Sequence, residues 1–169
     1  MSTVDVEHSN WFWRAGAAQA SGGAVVFDLD GVFSDANHRQ ALAKGRRWEE
    51  FFDACIDDPL LADHAQMLNL LRDDVTVVVL TGRPERLAKV TAEWLDKHGL
   101  RWDLLILRNE GDHTAAESFK RRTISELRNV GYELELAFED DPRNVQMFRQ
   151  EGVLCVYLHS GYYEGRVDQ

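Results

Sequence analysis

The chain has 169 residues, of which 44% are hydrophobic, enough apolar material for the core of one domain. Its formal net charge of −10 argues against a broad electrostatic footprint on nucleic acid, although a local basic lining of one cleft stays open. No run approaches the ~20 apolar residues of a membrane span, and the two cysteines show neither metal-ligand spacing nor a disulfide framework. We therefore expect a cytoplasmic protein without membrane contact.

Residues 1–23 are predicted to form an N-terminal arm and linker outside the sheet. They hold the aromatic triplet Trp11-Phe12-Trp13, which is followed by a stretch rich in Ala, Gly and Ser. Clustered aromatic side chains are costly in water, so we expect the triplet to be covered, either by its own domain or by a partner subunit. A homodimer through this arm is the second of these interpretations.

An apolar run that ends in two aspartates organises the chain. Ala24 to Phe27 has the length and apolar density of a buried parallel strand. Residues two apart on an extended segment point the same way, so Asp28 and Asp30 can share one site where the strand ends. Such a pair suits a Mg²⁺ ion, unless one carboxylate keeps a proton. A simple acidic turn after a strand is the alternative.

Helical and strand patterns alternate along the rest of the chain. From Asn37 to about Leu71 the pattern is helical and is interrupted at Asp57-Asp58-Pro59, which predicts a small helical cap insertion over about residues 34–72. The other predicted elements are strands from Val75 to Leu80, Trp102 to Leu107, Leu134 to Phe138 and Val153 to Leu158, and helices from Pro84 to His98, Ala115 to Asn129 and Pro142 to Glu151. This alternation predicts an α/β fold over residues 24–169, a Rossmann-like three-layer α/β/α parallel sheet.

Three predicted strands end in polar side chains, at the edge of the sheet where ligands bind in such folds. These side chains are Asp28, Thr81 and Asp140. Asp28 can attack phosphorus as a nucleophile, and Asp30 can act as general acid and then as general base. Thr81 and the backbone amides near Gly82 can bind phosphate oxygens, Lys120 can neutralise charge, and Asp140 can hold a metal.

These residues resemble the ordered motifs of the haloacid dehalogenase-like phosphohydrolases. The motifs are Phe27-Asp28-Leu29-Asp30-Gly31, Thr81 after an apolar strand, Lys120, and Glu139-Asp140-Asp141. Further features are similar to the phosphatase domain of phage-type polynucleotide kinase, namely His38-Arg39, Thr81-Gly82-Arg83-Pro84-Glu85, Arg108 followed by Gly111-Asp112, and Val145-Gln146-Met147-Phe148-Arg149. The resemblance covers about residues 24–160 and includes no kinase half, so a separate kinase partner is an open prediction.

The resemblance implies a Mg²⁺-dependent phosphatase that works through an aspartyl-phosphate. It implies these roles: Asp28 as nucleophile, Asp30 as acid and base, Thr81 and Lys120 as phosphate ligands, and Asp28, Asp30 and Asp140 at the metal. It further implies that substrate is contacted by Arg39, Gly82 and Arg83. The full metal ligand set stays open among Glu139, Asp140, Asp141 and Asn144, because this motif departs from the subfamily pattern.

The expected substrate is a phosphomonoester on a nucleotide or polynucleotide end, and the acidic balance favours mononucleotides or short ends. A sugar-phosphate phosphatase and a non-catalytic phosphate-binding or regulatory module are the alternatives. The second is suggested by Val32, where many relatives have threonine, and by Ala116, where an acidic residue is expected before Lys120. Within the predicted cap, three aromatic residues are expected to pack in the core, with base stacking as the alternative: Trp48, Phe51 and Phe52.

Overall fold

The computed structural model describes residues 8–17 and 22–164, so residues 1–7 and 18–21 of the predicted arm and linker, and residues 165–169, lie outside it. The strands are β1 (Trp11–Trp13), β2 (Gly22–Phe27), β3 (Thr76–Pro84), β4 (Leu104–Arg108), β5 (Tyr132–Glu139) and β6 (Cys155–Tyr157). The α-helices are α1 (Gln40–Lys44), α2 (Trp48–Asp53), α3 (Ala62–Ala65), α4 (Ala88–Lys97), α5 (Ala116–Asn129) and α6 (Pro142–Gln150). Turns of 3-10 helix cover Asn37–Arg39, Ala54–Asp57, Gln66–Leu70 and Glu85–Leu87.

The six strands form one sheet in the order β1-β4-β3-β2-β5-β6. Strand β1 is antiparallel to β4, and the other neighbouring pairs are parallel. Strand β2 lies between β3 and β5, so the residues after β2 meet the ends of both neighbours. The prediction of an α/β fold built on a mostly parallel sheet is confirmed.

Successive side chains on β2 enter two separate cores, because alternate residues of a strand point to opposite faces. Val25 and Phe27 pack with α4 residues such as Trp94 and Leu95. Ala24 and Val26 pack on the other face with residues of α5 and α6, among them Phe119, Ile124, Met147 and Phe148. Helices on both faces of the sheet give the predicted three layers, and their burial of continuous apolar strands is what stabilises a parallel sheet.

Strand β1 corrects the prediction that the aromatic triplet lies outside the sheet. Trp11 pairs with Ile106 and Trp13 with Leu104, so the triplet forms an edge strand on β4. Phe12 packs against one core, and the two tryptophans pack against the other. The domain itself therefore covers these rings, and a homodimer through the arm stays a prediction.

Residues 34–72 contain short helical pieces that break at Asp58, whose backbone is extended at the end of a 3-10 turn. We call residues 34–72 the helical segment, and its action as a cap stays a proposal. The predicted helix from Pro84 begins later than expected, because β3 continues to Pro84 and a 3-10 turn precedes α4. Among the described helices, none has the length and apolarity that crossing a membrane requires.

Candidate active site

The ends of β2, β3 and β5 bring the predicted site residues together at one edge of the sheet. Asp28 follows β2 directly, Thr81 lies in β3, and Glu139 ends β5. Their side chains line one cavity of about 700 Å³, together with Lys120 of α5. Parallel strands place their carboxyl ends at the same edge, which is why residues so far apart in sequence converge here.

Lys120 joins two carboxylates at the floor of this cavity. Its Nζ lies 2.8 Å from Asp28 Oδ1 and 2.6 Å from Glu139 Oε2, and all three side chains are nearly fully buried. The other Glu139 oxygen, Oε1, accepts the backbone N–H groups of Asp140 and Asp141. Lys120 is therefore positioned by Glu139 and Asp28. It does not need the acidic residue that was expected at position 116, where this chain has alanine.

Asp28, Glu139 and Asp140 form an acidic group suited to a cation. They offer carboxylate oxygens that lie within 4.8 Å of one another. Asp140 is buried, and neither of its side-chain oxygens accepts a hydrogen bond of normal geometry from a described residue, although the nearby Ser160 acts to lower its pKa. Burial and the charges of Asp28 and Glu139 together raise the pKa of Asp140 to about 10.

The pKa of Asp28 is also raised, to about 7, by burial and by the charge of Glu139, with Lys120 opposing both. One lysine therefore faces three carboxylates, and an all-oxygen donor set with surplus negative charge fits a hard divalent cation. The side chain of Asn144 adds a buried Oδ1 without a partner among the described residues. The residues present thus fit the metal that the sequence predicted, with Asp28 and Asp140 as carboxylates that would hold it.

Gly31 lets the chain pass close to Asp140. Its φ of +82° is in the left-handed region, and a Cβ on this residue would lie 2.1 Å from Asp140 Oδ2. Any side chain here would displace the carboxylate as well as strain the backbone. The glycine after the two aspartates is therefore required by the position of Asp140.

Asp30 is held by two buried arginines. Its Oδ1 lies 2.6 Å from Arg83 Nη2 and 2.8 Å from Arg39 Nη2. Although burial raises its pKa, the charges of Arg83 and then Arg39 prevail and lower the pKa of Asp30 to about 2. The Asp30 carboxylate is thus turned to the arginines and lies outside the acidic group, and the expected role of Asp30 at the metal stays a prediction.

Asp58 supplies the second carboxylate of this buried network. It accepts hydrogen bonds from Arg39 Nε at 2.8 Å and Arg39 Nη2 at 2.7 Å, and Arg83 Nη2 lies 3.1 Å from its Oδ2. The His38 ring nitrogen Nε2 lies 2.7 Å from Asp58 Oδ1, and the Ser34 hydroxyl donates to its Oδ2. In the sequence Asp58 stands out only as part of a helix break, and no sequence signal marks its burial.

The location of Arg39 and Arg83 corrects the expectation that they contact substrate. Both side chains have 0% exposure, and both guanidinium groups contact the carboxylates of Asp30 and Asp58. Their Nη1 groups donate elsewhere in the interior, that of Arg39 to the Phe51 carbonyl and that of Arg83 to the Thr91 hydroxyl. The Arg83 backbone N–H also binds Thr81 Oγ1 at 3.2 Å, which ties this arginine to the predicted phosphate-binding threonine. The two arginines therefore hold the Asp30 carboxylate in position without lining the cavity themselves.

Two arginines that were not among the predicted site residues also line the cavity, Arg108 and Arg143. Arg143 is paired with Asp141, so Arg108 is the one whose charge is available to a ligand. Its guanidinium lies beside Gly82, since Nη2 would be 3.9 Å from a Cβ there. Nη1 donates to the Thr114 carbonyl at 2.9 Å, while the buried Nε has no hydrogen-bond partner within residues 8–17 and 22–164. Burial lowers its pKa, and the described carboxylates form no ion pair with it; the neighbouring Asp112 is paired with Arg122.

Comparison with known proteins places this geometry in context. The family model for the polynucleotide kinase PNKP phosphatase domain matches residues 22–163. A protein of Bacillus subtilis (strain 168) named "Putative nucleotidase YqfW" is 30% identical over 129 residues, which are 71% of this chain and 61% of that protein. The chain therefore spans less than two thirds of the length of this relative.

Two solved structures share the fold. A structure titled "Structure of Pnkp1/Rnl/Hen1 complex" has a TM-score of 0.69 and 24% identity, and the match covers 85% of this chain and 48% of that one. A class C acid phosphatase from Bacillus anthracis with tungstate bound has a TM-score of 0.56 and 13% identity, with 85% of this chain and 69% of that one covered. At these identities the likeness concerns the fold alone.

Proposed function

The chain belongs to the polynucleotide kinase PNKP phosphatase domain family, and from this premise we propose that it is a magnesium-dependent phosphatase of nucleotide or polynucleotide ends. The observation that carries the proposal is the floor of the cavity, where Asp28 is held by Lys120 beside the acidic group with Glu139 and Asp140. A carboxylate held in this way faces the cavity with a cation on one side, as a nucleophile for phosphorus requires.

In the proposed reaction an Asp28 carboxylate oxygen attacks phosphorus, and the bond from phosphorus to the ester oxygen breaks. The leaving oxygen takes a proton from Asp30, and the products are an aspartyl-phosphate and a free alcohol. Water then attacks the same phosphorus while Asp30 accepts its proton. This second step releases inorganic phosphate, restores the Asp28 carboxylate and leaves the proton on Asp30. Transfer of that proton to the departing phosphate restores the Asp30 carboxylate.

Arg83 and Arg39 determine the protonation state of Asp30 at the start of the reaction. Because the pKa of Asp30 is lowered to about 2, it is ionised at neutral pH and ready to accept a proton from water in the second step. For the first step it must gain a proton, and a phosphate monoester with a second pKa of about 6 carries one into the site as a monoanion. We therefore propose that Asp30 takes its first proton from the substrate.

Charge neutralisation is proposed for the remaining site residues. Lys120 stays protonated, since its pKa is raised by Asp28 and Glu139 against the effect of burial, and it screens the nucleophile. A Mg²⁺ ion bound by Asp28 and Asp140 would supply positive charge for the phosphate oxygens. Thr81 and Gly82 line the same cavity and are proposed to bind those oxygens, and Arg108 takes over the substrate contact expected of Arg39 and Arg83.

The test is release of inorganic phosphate from a panel of substrates, with Mg²⁺ and with a chelator. The panel contains a 3′-phosphorylated oligonucleotide, nucleoside monophosphates and sugar phosphates. Metal-dependent release from the oligonucleotide or the nucleotides supports the proposal. Faster release from sugar phosphates, or metal-dependent phosphate binding without any release, would contradict it and would favour one of the two alternatives.

Mononucleotide hydrolysis is a second candidate within this proposal. The B. subtilis relative carries a nucleotidase name, and a net charge of −10 disfavours long contacts with a phosphate backbone. A separate kinase that works with this chain also stays a proposal. Preference for nucleoside monophosphates over the oligonucleotide in the same panel would select the nucleotidase activity.

A further inference from the structure

Trp48 is an exposed aromatic residue on the wall of the catalytic cavity. The chain has five tryptophans; Trp94 and Trp102 are buried, Trp11 and Trp13 are partly buried in β1, and Trp48 is 51% exposed. The sequence analysis expected all three aromatic residues of the helical segment to pack in the core. That expectation is wrong for Trp48, which begins α2, lines the cavity and stays 51% exposed.

The ring of Trp48 contacts two phenylalanines that line the same cavity. Its centroid lies 5.7 Å from that of Phe51, with the planes nearly perpendicular, and 6.4 Å from that of Phe52. Phe51 is buried, and the guanidinium carbon of Arg39 lies 4.3 Å from its ring centroid. Since Arg39 binds Asp30, a continuous set of contacts fixes this aromatic surface relative to the proposed acid and base.

The size and charge of the cavity favour a single nucleotide as the group that covers Trp48. A volume of about 700 Å³ is in the usual range for sites that bind small ligands. Glu49 and Glu110 line the same cavity, so this surface repels a polyanionic backbone while it can accept the flat, uncharged face of a base. A bare sugar phosphate offers no ring to cover the tryptophan.

We propose that the Trp48 side chain stacks on the base of the nucleotide that carries the scissile phosphate. This inference rests on the proposed function and deepens it, because it assigns recognition of the base to the uncharged ring of Trp48. The rest of a longer strand would then lie outside the cavity. Trp48 is then the residue that distinguishes nucleoside phosphates from sugar phosphates.

The test combines a change in the protein with a matched change in the substrate. Native protein and Trp48→Ala are compared on a 3′-phosphorylated oligonucleotide and on the same oligonucleotide with an abasic terminal nucleotide. Stacking on an aromatic residue contributes about 1–3 kcal/mol per base, so kcat/KM of Trp48→Ala for the intact substrate should fall about 5- to 150-fold. On the abasic substrate the two proteins should be equal within about twofold, because no stacking is lost.

Two further variants separate stacking from a structural effect. Trp48→Phe keeps an aromatic face and should retain most of the preference for the base. Ile56→Ala removes another exposed apolar residue of the helical segment, 54% exposed and outside the cavity lining, and should behave as native protein on both substrates. An equal loss on both substrates in Trp48→Ala, or no preference for the base in native protein, would overturn the inference.

Binding gives a second readout that does not depend on turnover. In Asp28→Asn protein, the intact 3′-phosphorylated oligonucleotide should quench tryptophan fluorescence more than the abasic one, and Trp48→Phe should abolish that difference. Quenching that is equal for the two ligands would overturn the inference. If native protein hydrolysed neither substrate while base-dependent quenching persisted, the proposed catalytic function would fail and the stacking site would stand.

Discussion

Replacing Asp58 with asparagine tests the buried network that holds Asp30. Arg39 and Arg83, both with 0% exposed side chains, share the carboxylates of Asp30 and Asp58, so the formal charges of the four groups sum to zero. Asp58→Asn keeps nearly the same volume and leaves one buried positive charge without a counter-ion. Breaking a buried ion pair by removing one partner costs about 3–5 kcal/mol, a large part of an ordinary domain stability of about 5–15 kcal/mol.

The assay is urea denaturation of metal-free protein, analysed by linear extrapolation. We expect the free energy of unfolding to fall by about 3–5 kcal/mol in Asp58→Asn. The matched control is Asp74→Asn, which breaks an exposed pair with Arg72 and should change stability by less than about 1 kcal/mol. Equal, small effects of the two substitutions would refute the argument that Arg39, Arg83 and Asp58 are charged groups buried away from water.

The other expectations concern the phosphate contact and the metal. Arg108→Ala should raise KM at least about tenfold with little change in kcat, because a charge-assisted contact to bound phosphate is lost. Arg121→Ala should leave KM unchanged, because Arg121 and its partner Glu151 lie outside the cavity lining. An unchanged KM in Arg108→Ala would remove Arg108 from the site. Asp140→Asn should make the metal-free protein more stable by at least about 1 kcal/mol at neutral pH, since the raised pKa means that its ionised form is less favourable in the folded chain than in the unfolded one. Mg²⁺ should raise the melting temperature of native protein and not that of Asp140→Asn, and equal shifts would exclude Asp140 as a ligand.

The centre of the site could be predicted because it depends on local pattern. The apolar run of β2 forces a buried strand, and the spacing of Asp28 and Asp30 delivers both carboxylates to its end. The alternation of strands and helices then brings Thr81, Lys120 and Asp140 to the same edge. Each of these steps uses periodicity or chain order, which the sequence displays directly.

The contacts around this centre depend on burial of charged groups, which periodicity does not reveal. Arg39 and Arg83 were expected at the substrate because the family resemblance implied it. Their engagement with Asp58 joins residues 19 to 25 positions apart, and no local pattern displays such a contact. Strand β1 was missed because three aromatic residues are too short a run to show the alternation of a strand. The exposure of Trp48 likewise follows from how α2 packs, since its spacing from Phe51 and Phe52 is the same in a core helix.

The most direct test of the account is to identify the residue that carries phosphate during turnover. Native protein is mixed with Mg²⁺ and a 3′-phosphorylated oligonucleotide and quenched with borohydride, which reduces an acyl phosphate to a primary alcohol, and the peptide that contains residue 28 is analysed by mass spectrometry. We expect the alcohol at Asp28, none in chelator, and no phosphate release by Asp28→Asn. Phosphate release by native protein with an unmodified Asp28, or release that persists in Asp28→Asn, would contradict the account.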